Sequence, residues 1–144
     1  MLYKSLNEQD TKNIAKALAQ SAAPGTIYCL NGELGAGKTQ FAKGFAQGLD
    51  ITNDILSPTF TILNIYKGRL DLYHFDVYRI NQAEEMYDLG YEDYFFAEGV
   101  CLIEWSENIK ELLPGNCIYI NISKDLEKGE DYRLIEVTNE STGN

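Results

Sequence analysis

One segment constrains this chain more than any other: Gly32-Glu33-Leu34-Gly35-Ala36-Gly37-Lys38-Thr39. It follows directly on residues 26–30, a continuous run of apolar, aromatic and β-branched side chains that reads as a short buried strand. After it, residues 40–49 place Phe41, Phe45 and Leu49 at helical spacing. A strand, a glycine-rich loop closed by Lys-Thr, and a helix together form the phosphate-loop arrangement. The glycines let successive backbone N–H groups fold into a nest for phosphate oxygens, and the helix that follows presents its positive end to the same place. Lys38 then reaches the β- and γ-phosphates, and the Thr39 hydroxyl is set to ligate Mg²⁺. The plain alternative is a flexible glycine turn before a helix. A chance match in a chain this long is on the order of 1 in 200, and the flanking pattern is the one the chemistry requires, so the functional reading is favoured.

The rest of the chain reads as one α/β domain over residues 1–139, followed by a frayed, disordered tail at 140–144. Ser5-Leu6-Asn7-Glu8 has the capping-box pattern and opens a helix with Ile14, Ala15, Leu18, Ala19 and Ala22 on one face, stopped by Ala23-Pro24-Gly25. Residues 60–66 and 70–75 flank Lys67-Gly68-Arg69 as an antiparallel hairpin. Residues 82–91 read as an acidic helix, 100–103 as a second buried strand, and 106–112 as a short helix stopped by Leu113-Pro114-Gly115. Two last strands, 117–122 and 132–137, surround the turn Lys128-Gly129-Glu130-Asp131. Hairpins combined with buried strands imply a mixed central β-sheet flanked by helices, in the manner of P-loop nucleotide hydrolases.

Further chemistry gathers around three short segments. Val100-Cys101-Leu102-Ile103-Glu104 ends an apolar strand in a carboxylate, where a phosphate-loop protein needs an acid to hold its metal through water. Alone, such a residue is an ordinary solvated strand end; paired with the loop, Glu104 is a metal candidate. Trp105, the one tryptophan, suits core packing or a functional contact equally. In His74-Phe75-Asp76-Val77-Tyr78-Arg79, alternation puts His74, Asp76 and Tyr78 on one side of an extended segment, where Asp76 is placed to orient an attacking or a metal-bound water. Ser57-Pro58-Thr59-Phe60-Thr61 offers hydroxyls of the kind that sense a γ-phosphate, although from chemistry alone an ordinary Ser-Pro turn is the simpler account.

The formal charge of −10, with only three arginines (Arg69, Arg79, Arg133), argues against a chain that grips nucleic acid by itself; if RNA is involved, a partner holds it. Glu84, Glu85, Asp88, Glu92, Asp93 and Glu98 read as a solvated acidic face, or more sharply as a docking surface for a basic partner. Cys29, Cys101 and Cys117 sit in apolar surroundings and suit free buried thiols in a reducing compartment. Residues after Met1 turn polar at once and no apolar run is long enough to span a bilayer, so a soluble, cytoplasmic protein is expected. The absence of an Asn-Lys-x-Asp element tilts the base toward adenine.

Taken together, the phosphate loop, Ser57-Pro58-Thr59-Phe60-Thr61, His74-Phe75-Asp76-Val77-Tyr78-Arg79 and Ile103-Glu104-Trp105, in this order over roughly residues 5–137, resemble the TsaE (YjeE) family. That resemblance implies a P-loop domain that binds ATP and Mg²⁺ and hydrolyses ATP weakly when alone. It implies action with TsaD and TsaB, which threonylcarbamoylate adenosine 37 of tRNAs reading codons that begin with A, with tRNA reached only through the complex and no membrane involved. By carry-over, Lys38, Asp76 and Glu104 are the catalytic group, and Thr39 and Glu104 arrange the metal. Glu33, Leu34, Gly35, Ala36, Gly37, Lys38, Thr39 and Gln40 hold the nucleotide, Thr59 and Thr61 lie in a switch segment, and Trp105 lies near the nucleotide or the partner. Two other readings are compatible with the loop: a small-molecule kinase, for which the chain lacks an arginine-rich lid, and a nucleotide-gated interaction module with incidental hydrolysis.

Overall fold

The computed structural model describes residues 1–33, 35–56, 58 and 61–139. In chain order its elements are β1 (Leu2–Ser5), α1 (Glu8–Gln20), β2 (Ile27–Gly32), α2 (Lys38–Gly48), β3 (Leu63–Tyr66), β4 (Leu72–Asp76), α3 (Glu84–Asp88), α4 (Glu92–Phe95), β5 (Val100–Glu104), β6 (Ile118–Lys124) and β7 (Arg133–Thr138). Short 3₁₀ segments at Ser106–Leu112 and Leu126–Lys128 complete the set. The strands form one seven-stranded sheet in the order β1-β7-β6-β2-β5-β4-β3. Its middle (β6, β2, β5, β4) is parallel, while β7, β1 and β3 are antiparallel additions at the edges. This is the expected single α/β domain with a mixed sheet; the segment 140–144, expected as a tail, lies outside the described residues.

Strand alternation divides the apolar residues between the two faces. Tyr28, Leu30, Leu72, Val100 and Leu102 pack with α1 and α2, whereas Ile27, Cys29, Phe75, Cys101 and Ile103 pack with α3, α4 and the 3₁₀ segment after β5. The same parity sends His74, Asp76 and Glu104 to the α2 side of the sheet, at or near the C-terminal strand ends. All three cysteines are buried free thiols, as expected.

Three differences from the sequence reading have physical causes. The N-cap of α1 is Asn7, whose side chain accepts from the Asp10 N–H at 2.8 Å, while Asp10 Oδ2 accepts from the Leu6 N–H. Ser5 instead ends β1, and its buried hydroxyl lies 2.7 Å from Thr11 Oγ1. That strand escaped notice because it is four residues long and pairs only with β7, so it carries little alternation. The acidic helix expected over 82–91 breaks into α3 and α4 at Gly90, which takes φ +68. The short helix expected over 106–112 is present with those bounds, as a 3₁₀ segment that kinks at Ile109.

Helix α2 is held hard against α1. A Cβ on Gly44 would collide with the Lys12 backbone, and one on Gly48 would meet Lys16 O and Ala19 Cβ. Arg69, from the β3–β4 connection, closes the end of α1 by donating from Nη2 to Ala19 O at 2.9 Å. In α2, Gly44→Ala should gain up to about 1 kcal/mol of helix propensity and lose more by overpacking against rigid backbone. A net loss of roughly 1–2 kcal/mol is expected in denaturant unfolding; a stabilised variant would show that the helices do not need this approach.

Candidate functional site: a cleft at the phosphate loop

The loop between β2 and α2 is built by constraint at three glycines. Gly32 leaves β2 so close to the neighbouring strand that a Cβ would sit 3.0 Å from Ile122 O. Gly35 and Gly37 take φ +79 and +107, a region that favours glycine. Gly37 is the N-cap of α2 and no side chain caps that helix end, so its first N–H groups and the positive end of its dipole are left for an anion. Beside the loop, Arg133 at the start of β7 donates from Nε to Ala36 O at 2.8 Å, and Nη2 lies 3.5 Å from Gly35 O. Its Nη1 donates to the carbonyls of Glu130 and Tyr132. With the Ala36 N–H turned back onto Glu33 O, the loop is closed on itself, and Arg133 fixes its Gly35 and Ala36 carbonyls beside the cleft.

A cleft of about 520 Å³ opens over this loop. Its lining brings together Gly35, Gly37, Lys38, Thr39, Gln40, Asp76, Glu104 and Trp105 of the residues expected from sequence. Asp76 and Glu104 are direct register partners on the parallel strands β4 and β5, so two carboxylates stand side by side opposite the start of α2. Glu104 is 6% exposed, and its Oε2 lies 2.7 Å from His74 Nε2. Asp76 Oδ1 accepts from the Tyr78 N–H at 3.0 Å. Burial pushes its carboxyl above the ordinary range and the Glu104 charge adds to that, against the opposing pull of the Tyr78 N–H, Lys38 and His74.

Lys38 is 8% exposed, and its Nζ lies 3.9 Å from the centroid of the Trp105 ring. Burial pushes its ammonium down, while Glu104, Asp76 and Glu107 push it up. The indole supplies a cation–π contact to an ammonium that burial has stripped of water. Trp105 reaches this position in the left-handed region, φ 63, a conformation that costs a non-glycine residue of order 1–3 kcal/mol. Tyr78 packs against the ring with centroids 4.9 Å apart. Gln40 Oε1 is buried without a hydrogen-bond partner at the same cleft.

Other expected residues fall elsewhere. Glu33 is exposed, accepts the Ala36 N–H at its carbonyl, and lines with Ala36 a smaller hollow of about 240 Å³ on the β6 side. Thr61 is exposed, bonds Asn64 Oδ1 at 2.8 Å and does not line the cleft. Leu34 and Thr59 lie outside the described residues. Sequence reasoning missed other parts of the lining: Asn7, Glu8 and Thr11 at the start of α1, Asp131, and above all Arg133. Arg79 also lines the cleft, so two of the three arginines that look scattered in sequence converge there. Arg79 belongs to a motif already singled out; Arg133 carries no local signal, because 97 residues separate it from the carbonyl it holds.

The donor set suits a hard divalent cation bound mainly through phosphate and water. Glu104 and Thr39 face one cleft, and among the described residues no group of three or more His, Cys, Asp or Glu side chains forms a closed cage. Arg133→Gln should weaken pyrophosphate binding about tenfold, since losing the charged fork frees the loop carbonyls. Calorimetric titration checks this, and unchanged affinity would reduce Arg133 to a β7 anchor.

Comparison with known proteins shows the family and supports the fold. The family model "Threonylcarbamoyl adenosine biosynthesis protein TsaE" matches residues 5–133. The "tRNA threonylcarbamoyladenosine biosynthesis protein TsaE" of Bacillus subtilis is 48% identical over 143 residues, covering 99% of this chain and 86% of that protein. The protein of the same name from Treponema pallidum is 42% identical over 118 residues, 82% of this chain and 87% of that one. The crystal structure of Bacillus subtilis YdiB superposes with a TM-score of 0.83 at 42% identity, covering 97% of this chain and 86% of that one. The chain belongs to the TsaE family.

Proposed function

We propose that this chain binds ATP with Mg²⁺ in the cleft over the phosphate loop and hydrolyses it in the service of tRNA threonylcarbamoyladenosine biosynthesis. The observation that carries the reading is the convergence of an uncapped helix start bearing Lys38 and Thr39 with the paired carboxylates Asp76 and Glu104. The relatives' names supply the pathway. Its partners are TsaD and TsaB, which carry out the transfer to adenosine 37 of tRNAs reading codons that begin with A. The net charge of −10 fits a subunit that leaves the tRNA to those partners. Among the described residues no helix is long and apolar enough to cross a membrane.

In this mechanism the chain supplies position and charge. N–H groups at the loop and at the start of α2 cradle the β- and γ-phosphates, and Lys38 moves from the Trp105 ring onto the phosphate oxygens, where its charge has the stronger partner. Thr39 and Glu104 would hold the metal; when bound, it neutralises charge developing on the transferred phosphoryl group. Asp76, seated beside Glu104 and already raised by burial, orients the attacking water. Arg79 stands on the same wall, placed to meet negative charge.

Phosphate release from ATP, with and without TsaD and TsaB, tests the proposal. Lys38→Ala should lower turnover roughly 100-fold or more, and undiminished turnover would remove the loop from the chemistry. Asp76→Asn should slow hydrolysis by a factor on the order of 100 while ATP binding persists; collapse of binding instead would make Asp76 a ligand or a structural residue. A phosphorylated small molecule in place of free phosphate would favour a kinase.

A further inference from the structure

His74 is the one histidine in the chain, and it is 1% exposed beneath the cleft. The register of β4 on β5 sets it opposite Leu102, two residues before the Asp76–Glu104 pair. From there the ring reaches along the sheet to Glu104, Nε2 to Oε2 at 2.7 Å. Its other nitrogen, Nδ1, is buried with no hydrogen-bond partner. The two nitrogens therefore do different things. A carboxylate only accepts, so the short contact makes Nε2 the N–H donor. A proton on Nδ1 as well would bury an N–H with no acceptor, so the ring is best served by the Nε2–H tautomer with Nδ1 bare.

The contact also decides where Glu104 points. Lys38 lies near enough to feel the charges of both Glu104 and Asp76. Yet the ion pairs among the described residues are Lys67–Asp71 and His74–Glu104, and none joins Lys38 to Glu104. Free to rotate about its side-chain torsions, a buried glutamate beside a buried lysine would close onto it and occupy both groups.

We propose that His74 is a positioning residue: its Nε2–H clamps one oxygen of Glu104, keeps the carboxylate off Lys38 and presents the remaining oxygen to a divalent cation in the cleft. This rests on the reading of Glu104 as a metal-holding residue. The role resembles the outer partner that orients a metal ligand, with donor and acceptor exchanged relative to a metal-bound histidine.

Two measurements test it. In the ¹⁵N-labelled parent, the single imidazole should show a protonated Nε2 and a bare Nδ1; a proton resident on Nδ1 overturns the clamp, whatever the enzyme does. Mn²⁺ binding in the presence of a non-hydrolysable ATP analogue, followed by the electron paramagnetic resonance of free Mn²⁺, is then compared across variants. A glutamine amide can reach the place of Nε2 and an asparagine amide only that of Nδ1. His74→Gln should therefore stay within about threefold of the parent, while His74→Asn loses about 10- to 100-fold. ATP affinity in excess chelator should stay unchanged in both. Equal Mn²⁺ affinity in parent and His74→Asn, or equal loss in both variants, overturns the inference. Glu104→Gln separates the two levels. If it leaves Mn²⁺ affinity intact, the metal reading of Glu104 falls and takes the inference with it. If it lowers the affinity while His74→Asn does not, the inference alone falls.

Discussion

The register of the parallel strands is the constraint on which the rest of this structure depends. β2 pairs with β5 so that Leu30 stands beside Glu104, and β5 pairs with β4 so that Glu104 stands beside Asp76. The phosphate loop leaves β2 two residues after Leu30, and α2 returns over the face that carries Glu104, His74 and Asp76. A slip of β4 by one residue would turn His74 and Asp76 into the core around Phe95 and Met86 and bring Phe75 to the cleft, because side chains alternate with a period of two. Apolar alternation therefore serves two ends: Leu72, Val100 and Leu102 hold the helix face together, and further along the same face Asp76 and Glu104 reach the cleft.

At the cleft the fold gives up stability. Lys38, His74, Glu104 and Thr11 are among the few buried polar or charged residues, and they gather around one opening. Trp105 holds a left-handed backbone, Gln40 Oε1 and His74 Nδ1 lack partners, and the start of α2 has no side-chain cap. The buried side-chain atoms without a partner among the described residues lie at or beneath this cleft, where a ligand can relieve them, while left-handed backbone also occurs elsewhere, at Asp50 and Ile62. Away from the cleft, such needs are met locally: Arg69 closes the far end of α1 and the Thr26 hydroxyl donates to Ala23 O.

Much of this was legible beforehand because it is written in local pattern. The loop is eight consecutive residues, β5 is an apolar run ending in an acid, and α2 repeats its aromatics at helical spacing. What escaped notice was written in contacts far apart along the chain. β1 has meaning only beside β7, and Arg133 only beside a loop 97 residues earlier. The α1 N-terminus joins the cleft because Gly44 and Gly48 let α1 lie close against α2. Asn7 displaced Ser5 as cap because the hydrogen bonds of an edge strand claimed Ser5 first.

Sequence alone determined which chemistry this chain can carry, since a nest of N–H groups needs glycines at fixed spacing and those are covalent neighbours. It also determined the mixed α/β class, because hydrophobic periods of two and 3.6 are local properties. Tertiary structure alone decided how the functional groups face one another: that His74 holds Glu104, that Lys38 rests on Trp105, and that Arg133 holds the loop carbonyls. Those choices turn on strand register and helix approach, which are set by packing summed over the whole domain and leave no mark at any one position.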